Sequence, residues 1–138
     1  MEPRAFLQLA QQLSRNTTNE ASLRSCVSRS YYALFNFMAQ FINEHVERLP
    51  HTANDHEKVY RYFNNCGVED IETIASQLND LREDRNESDY KLRSDRFKDE
   101  NVASLLFMKA STAFNSFESI VQSSKQRKRV VEGIRKHR

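Results

Sequence analysis

The chain has 138 residues and a formal net charge of +2, with only 2 Gly, 2 Pro and no Trp. This length corresponds to one domain that is large enough to bury an ordinary hydrophobic core. Average usage of glycine and proline would give about 16 such residues, so the composition disfavours β-sandwiches, β-barrels and glycine-lined phosphate loops. We therefore expect an all-α protein.

Helical spacing of apolar residues predicts the first two helices. The first covers about residues 3–14, a turn with capping side chains follows at residues 15–19, and the second helix runs from residue 19 or 20 to about 49. Its middle, residues 31–42, is apolar around most of the circumference. A helix of this kind is buried on more than one face, which predicts either a central position in a bundle or an additional dimer contact.

A charged residue interrupts the apolar stripe of the fourth helix. A short helix at about residues 56–66 ends at Gly67, and the next helix carries an apolar stripe of Ile71, Ile74, Leu78 and Leu81. The stripe continues with Arg85 and then with Asp89 or Leu92. Burying a charge costs several kcal/mol unless it is paired or faces a cleft. Either the end of this helix is solvated, or Arg85 and Asp89 line a polar cleft.

The last part of the chain divides into an apolar helix and a basic segment. The helix starts near residue 99 or 100 and ends near 122. Residues 125–138 carry seven Lys or Arg and one Glu, a net charge of +6, whereas the 14 bases and 18 acids of residues 1–124 give −4. We predict a four- to five-helix up-down bundle over residues 1–124 and a basic C-terminal tail. The tail either contacts RNA phosphates through Arg127, Lys128 and Arg129, anchors an acidic partner, or is a frayed end.

Several kinds of site are not expected. Cys26 and Cys66 form no CxxC motif, and we expect two buried thiols in a reducing compartment. The sequence contains no HExxH or GxSxG motif, no signal-peptide pattern and no apolar run long enough for a membrane span. We predict a cytoplasmic protein without a metal, a cofactor or a membrane contact.

Three short segments are similar to the motifs of one superfamily. They are SRSYYALFN at residues 28–36, His56 within DHEKVYRYF, and RNESDY at residues 85–90. In this order and on successive predicted helices, they resemble the HEPN superfamily (higher eukaryotes and prokaryotes nucleotide-binding), and specifically its small stand-alone prokaryotic branch. The resemblance covers about residues 20–122.

The resemblance implies a HEPN-like bundle that forms a homodimer, with the Arg motif of each subunit facing a shared cleft. It also implies a metal-independent endoribonuclease, often the toxin of a toxin-antitoxin or phage-defence system, with an antitoxin or a nucleotidyltransferase-type protein as a possible partner. Active members carry an Arg, then a polar residue, and a His several positions later. Arg85 and Asn86 match the first two, whereas Tyr90, Lys91 and Leu92 stand where the His would be.

Cleaving RNA without a metal needs a base for the ribose 2′-OH and a cation for the phosphorane. Arg85 suits the cation's role because a guanidinium binds phosphate through two parallel hydrogen bonds. A tyrosine, with an ordinary pKa of about 10, is a poor base at neutral pH, so Tyr90 is better suited to donate a hydrogen bond or to stack on a base. His56 either supplies an imidazole or caps its helix, and Asn86 and Asp89 would orient groups around the phosphate.

Two functions are left open by the sequence. The first is an RNA-directed ribonuclease or toxin-type component, and the second is a non-catalytic HEPN module that binds nucleotide, RNA or a partner protein. A purely structural helical adaptor is a third alternative. Arg29 and Tyr32 belong to a polar seam of the second helix that faces either solvent or the cleft, and both are candidate nucleic-acid contacts. Tyr31, Tyr60 and Tyr62 are expected in the core.

Overall fold

The computed structural model describes residues 2–15 and 19–138, which fold into six α-helices without a β-strand. The helices are α1 (Pro3–Ser14), α2 (Glu20–His45), α3 (Asp55–Asn64), α4 (Glu69–Tyr90), α5 (Glu100–Gln122) and α6 (Ser124–His137), with a short 3-10 helix at Arg96–Lys98. The all-α prediction is confirmed. None of the described helices is both long enough and apolar enough to cross a membrane.

Local sequence explains where α1 and α2 begin. Pro3 occupies the first turn of α1, where its missing N–H has no helical partner to lose. The Asn19 side chain caps α2 by accepting a hydrogen bond from the Ser22 N–H at 3.3 Å. The predicted turn between these helices falls partly on residues 16–18, which lie outside the described residues.

Helix α2 ends at His45, four residues before the predicted end. The Val46 N–H still donates a hydrogen bond to the Ile42 carbonyl at 2.9 Å. The Leu49 N–H instead donates to Asn43 Oδ1 at 2.8 Å, and the Leu49 side chain is buried. The prediction was too long because Leu49 fits the apolar spacing of the helix but reaches the core from a loop.

Helix α2 lies at the centre of the bundle and contacts α1, α3, α4 and α5. Its fully buried side chains include Val27, Tyr31, Ala33, Leu34, Met38 and Ile42. This central position accounts for the apolar circumference of residues 31–42. The dimer contact remains a prediction.

The basic C-terminal segment forms α6, which packs on the bundle. Val130 and Ile134 are fully buried, and α6 contacts α3 and α5. Gly133 lies so close to the end of α3 that a Cβ atom there would stand 1.9 Å from the Cys66 carbonyl oxygen. Residues after 124 are therefore part of the packed structure rather than a frayed end.

Both cysteines are free and buried. Burial raises the pKa of the Cys26 thiol to about 11 and raises the pKa of Cys66 as well. Since the thiolate is the reactive form, both side chains behave as small packing groups.

Candidate functional site

Arg85 lies on the inward face of α4, and only 7% of it is exposed. It follows Ile74, Leu78 and Leu81 along the stripe because the helical period brings all four to the same side of α4. That side packs on α2. Arg85 therefore does not lie on a solvated helix end, which was one of the two sequence alternatives.

Three tyrosines surround the Arg85 guanidinium. Its Cζ atom lies 5.1 Å from the ring centroid of Tyr32, 5.4 Å from that of Tyr31 and 5.9 Å from that of Tyr90. Tyr31 and Tyr32 come from α2, and Tyr90 is the last residue of α4. Cation–π contacts of this kind offset part of the desolvation of the charge. They place aromatic rings around the charge in addition to its hydrogen-bond partners.

The hydrogen bonds of Arg85 are few and long. Its Nη1 donates to the Tyr90 hydroxyl at 3.4 Å. The nearest carboxylate oxygen, Asp89 Oδ2, lies 3.9 Å away and also accepts a hydrogen bond from Ser28 Oγ at 3.3 Å. Arg85 Nε is buried and has no hydrogen-bond partner among the described residues. Buried polar groups normally have partners, so this guanidinium retains unused donor capacity.

His56 joins the same group of side chains through Tyr31. The Tyr31 hydroxyl and His56 Nδ1 are 2.5 Å apart, and the imidazole stacks on Phe35 at a centroid distance of 4.2 Å. Burial, followed by the positive charges of Arg82 and Arg85, lowers the pKa of His56 to about 4. The imidazole is therefore neutral at pH 7. Burial raises the pKa of Tyr31, so its hydroxyl keeps its proton.

We call Arg85, Tyr31, Tyr32, His56, Asp89 and Tyr90 the Arg85 cluster. It combines three chemical properties: a buried cation with an unused N–H group, a neutral imidazole, and an aromatic ring at the surface, since Tyr90 is 72% exposed. A guanidinium binds phosphate or carboxylate oxygens. An exposed tyrosine ring offers a surface on which a nucleobase can stack.

The structure thus brings together five of the predicted site residues: Arg85, Asp89, Tyr90, His56 and Tyr32. Asn86 follows Arg85 on α4 but is exposed. Arg29 lies on another side of α2, where its guanidinium stands 5.8 Å from the ring centroid of Phe6 in α1. The polar seam proposed around Arg29 therefore divides, with Tyr32 at the cluster and Arg29 against α1.

The predicted RNA contacts Arg127, Lys128 and Arg129 lie on α6 and do not join the cluster. Arg127 is half-buried and donates to the Val121 carbonyl at 3.0 Å. Lys128 and Arg129 are exposed. These cations therefore form a surface separate from Arg85.

Sequence reasoning missed Arg24, which fixes the end of α4. Only 8% of it is exposed, and it donates to the carbonyls of Ser88 at 2.8 Å and Ser94 at 2.9 Å. Two longer bonds, both 3.3 Å, reach the carbonyls of Lys91 and Leu92. Carbonyls at a helix C-terminus lack intrahelical partners, so Arg24 satisfies those beside Asp89 and Tyr90. Its spacing from Ser28 and Tyr31, on the same face of α2, was the available signal.

Comparison with protein-family models, with curated proteins and with solved structures gave no match. Within residues 2–15 and 19–138, no group of three His, Cys, Asp or Glu side chains is placed to hold a metal ion.

Proposed function

We propose that the chain is an RNA-directed, HEPN-like protein that holds a phosphate of single-stranded RNA at Arg85. The observation that carries this proposal is the incomplete pairing of a buried cation: the nearest carboxylate oxygen is 3.9 Å from Nη1, and Nε has no partner among the described residues. An uncompensated buried charge is unfavourable by several kcal/mol. A phosphate would supply close oxygen acceptors together with a negative charge.

The exposed tyrosine favours a single strand over a duplex. Tyr90 lies 5.9 Å from Arg85 Cζ, and most of it is exposed. Unpaired bases stack on aromatic side chains, whereas the bases of a duplex are stacked on each other and are not available. Arg85 would bind the backbone and Tyr90 would stack on an adjacent base.

Cleavage of the bound RNA is a second candidate function, and His56 supports it. With its Nδ1–H donating to the Tyr31 oxygen, the neutral imidazole keeps Nε2 free to take the proton of a ribose 2′-OH, and Arg85 can stabilise the phosphorane that forms when this oxygen attacks the phosphorus. A pKa of about 4 makes the imidazole a weak base, however, and leaves too little protonated imidazole at pH 7 to donate to the departing 5′-oxygen. The geometry therefore supports binding more strongly than turnover.

The proposal includes the quaternary structure and the biological setting that the three sequence motifs suggest. We propose a homodimer with the Arg85 clusters at a shared cleft. We also propose a toxin-antitoxin or phage-defence role with an antitoxin or a nucleotidyltransferase-type partner. The motifs alone support these two parts, since SRSYYALFN, His56 and RNESDY occur in the expected order.

The test of RNA binding replaces Arg85 with methionine. Arg85→Met keeps an unbranched side chain in the buried position without its charge, and its folding is checked by circular dichroism and thermal melting. We expect its Kd for a fluorescent single-stranded RNA to rise about tenfold or more, because a hydrogen bond to a charged group contributes about 1.5 to 3 kcal/mol. Arg93→Met, at an exposed position, is the matched control. An unchanged Kd for folded Arg85→Met would contradict the proposal.

The test of cleavage is separate. Purified wild-type protein and His56→Gln are incubated with the same RNA in the presence of a chelator, and the products are examined for 2′,3′-cyclic phosphate ends. Cleavage that disappears in His56→Gln while the Kd is unchanged would support the second function. If the wild-type protein binds the RNA tightly but forms no cleavage products, the second function is contradicted and the binding proposal stands.

A further inference from the structure

The exposed side of α6 carries a row of cations. We call Lys125, Lys128, Arg129 and Lys136 the cationic face. All four are exposed, and helical spacing places them within about a third of the circumference of α6. One acid, Glu132, shares this side. Within the described residues, none of the four makes an ion pair with a carboxylate, Glu132 included.

The opposite side of α6 is fixed to the bundle. Val130 and Ile134 are fully buried, and Arg135 donates to the His45 carbonyl at 3.0 Å. Amphipathic helices bind membranes by inserting an apolar face into the lipid, and in α6 that face is already buried in the protein. The docked helix α6 therefore cannot insert into a bilayer in this way, and its exposed side offers charge alone.

Helices α2 and α3 connect the Arg85 cluster with α6, which carries the cationic face and packs near the C-terminal ends of both helices. Along α2, Tyr32 lies beside Arg85 and His45 beside Arg135, and these residues are 13 positions apart, or roughly 20 Å at 1.5 Å per residue. Along α3, His56 belongs to the cluster, and Cys66, just beyond the helix, meets Gly133 of α6. Arg61, between them on α3, is exposed.

We propose that the cationic face binds the phosphate backbone of the same RNA strand that Arg85 holds, beyond the roughly 20 Å of α2 that separate Tyr32 from His45. This inference rests on the proposed function. A strand that is held at Arg85 and follows α3 from His56 to its C-terminal end would reach α6, where unpaired cations provide the attraction on which nucleic-acid affinity largely depends. Arg127 contributes little to this RNA contact, because it is half-buried and donates a hydrogen bond to the Val121 carbonyl.

The experiment compares two lengths of RNA. Kd is measured as a function of salt for oligonucleotides of about 4 and about 16 nucleotides, the range of site sizes found for single-strand binding proteins. The variant is Lys128→Gln/Lys136→Gln. The control, Arg15→Gln/Lys98→Gln, removes two exposed positive charges elsewhere. Both variants are checked for an unchanged melting temperature.

For the long RNA, we expect the α6 variant to weaken binding about tenfold and to reduce the salt slope by about 1.4, since each lost phosphate contact removes about 0.7 for a single strand. The short RNA fills only the Arg85 cluster, so its Kd should not change. The control variant should change neither the Kd nor the salt slope.

The possible results separate this inference from the proposed function. If Arg85→Met weakens the binding of both RNAs and the α6 variant weakens the binding of neither, the cationic face is not an RNA contact and the inference is overturned. If the α6 variant reduces long-RNA binding and Arg85→Met has no effect, the proposed function at Arg85 fails and α6 is itself the RNA site. If the α6 variant keeps its RNA affinity but loses binding to polyglutamate, α6 serves an acidic protein, and the inference is overturned.

Discussion

At the scale of single residues, Tyr31 connects the two groups on which the proposed chemistry depends. Its ring packs against the Arg85 guanidinium, and its hydroxyl is hydrogen-bonded to His56. Protonating His56 would place a second positive charge in a cluster that already contains Arg85. The cluster thus favours a neutral imidazole, and binding an anion at Arg85 would reduce this preference.

Stability should decrease at acidic pH because of His56. Its pKa of about 4 in the folded protein lies below its ordinary value of about 6.5, so the unfolded chain binds more protons between these values. The contribution of His56 is complete above about pH 6.5 and is lost as the pH falls toward 4. We expect a loss on the order of 1 kcal/mol, reduced from the full shift because the ring is only part-buried.

Urea denaturation of the wild type and of His56→Gln, at neutral pH and at about pH 5, measures this loss. Carboxylates such as Glu47 and Glu87, whose pKa values are lowered by hydrogen bonds, also destabilise the fold in acid. The relevant quantity is therefore the difference between the two proteins. Identical pH dependence in His56→Gln would show that His56 is not the group responsible.

At the scale of elements, the C-terminal end of α4 is fixed from outside by Arg24. This single guanidinium donates to the carbonyls of Ser88, Lys91, Leu92 and Ser94. Asp89 and Tyr90 lie within that stretch, so the geometry of the Arg85 cluster depends on a residue that does not belong to it.

Removing the side chain of Arg24 should therefore reduce both stability and RNA affinity. For Arg24→Ala we expect a loss of about 2 to 3 kcal/mol in the free energy of unfolding, because buried carbonyls lose charged donors. RNA affinity should also fall, because Tyr90 is then no longer held in its place. Arg96→Ala is the control, since Arg96 pairs with Asp84 and Glu87 near the surface and such pairs contribute about 1 kcal/mol or less. Chemical denaturation measures the free energy of unfolding of both variants, and equal losses in the two would contradict this role of Arg24.

The elements of the bundle could largely be predicted from sequence because they depend on a periodic signal. The spacing of apolar residues predicted α1 at its observed bounds, α3 and α5 to within about two residues, and the inward stripe of α4. Phe97 was missed. It is fully buried in the short 3-10 helix between α4 and α5, and one aromatic residue in a polar connection has no period to reveal it.

The candidate site was predictable in part for a related reason. Arg85 was found because it breaks an apolar stripe, which is a local signal. Arg24 was missed because its acceptors are backbone carbonyls about 64 to 70 positions away, and backbone groups have no signature in the sequence. Arg29 was assigned to the same polar seam as Tyr32 because of its polarity. Only the packing of α1 on α2 shows that the two side chains lie on different sides of α2.

At the scale of the whole molecule, apolar side chains remain exposed beside the Arg85 cluster. Tyr90 is 72% exposed and Leu92 is 75% exposed. Tyr90 ends α4 and belongs to the cluster, and Leu92 follows it by two positions. In the proposed homodimer, the partner subunit would cover these two side chains.

For the proposed homodimer, we expect sedimentation velocity to give a dimer for the wild type and a shift toward monomer for Leu92→Ser. The physical reason is the loss of a large apolar side chain from the shared cleft. Leu105→Ser is the control, because Leu105 is 68% exposed but lies on α5. A wild-type monomer at micromolar concentration would contradict the dimer, and equal effects of both substitutions would contradict its placement at the cluster.

The contact between Gly133 and the Cys66 carbonyl has a consequence for recognising relatives. No side chain fits at position 133 while α6 keeps its place. A homologue that retains Arg85 but carries a larger residue at 133 must therefore have moved either α6, with its cationic face, or the end of α3 at Cys66. Glycine at this position, rather than the number of basic residues in the C-terminal segment, is thus the marker of a chain whose last helix is docked as it is here.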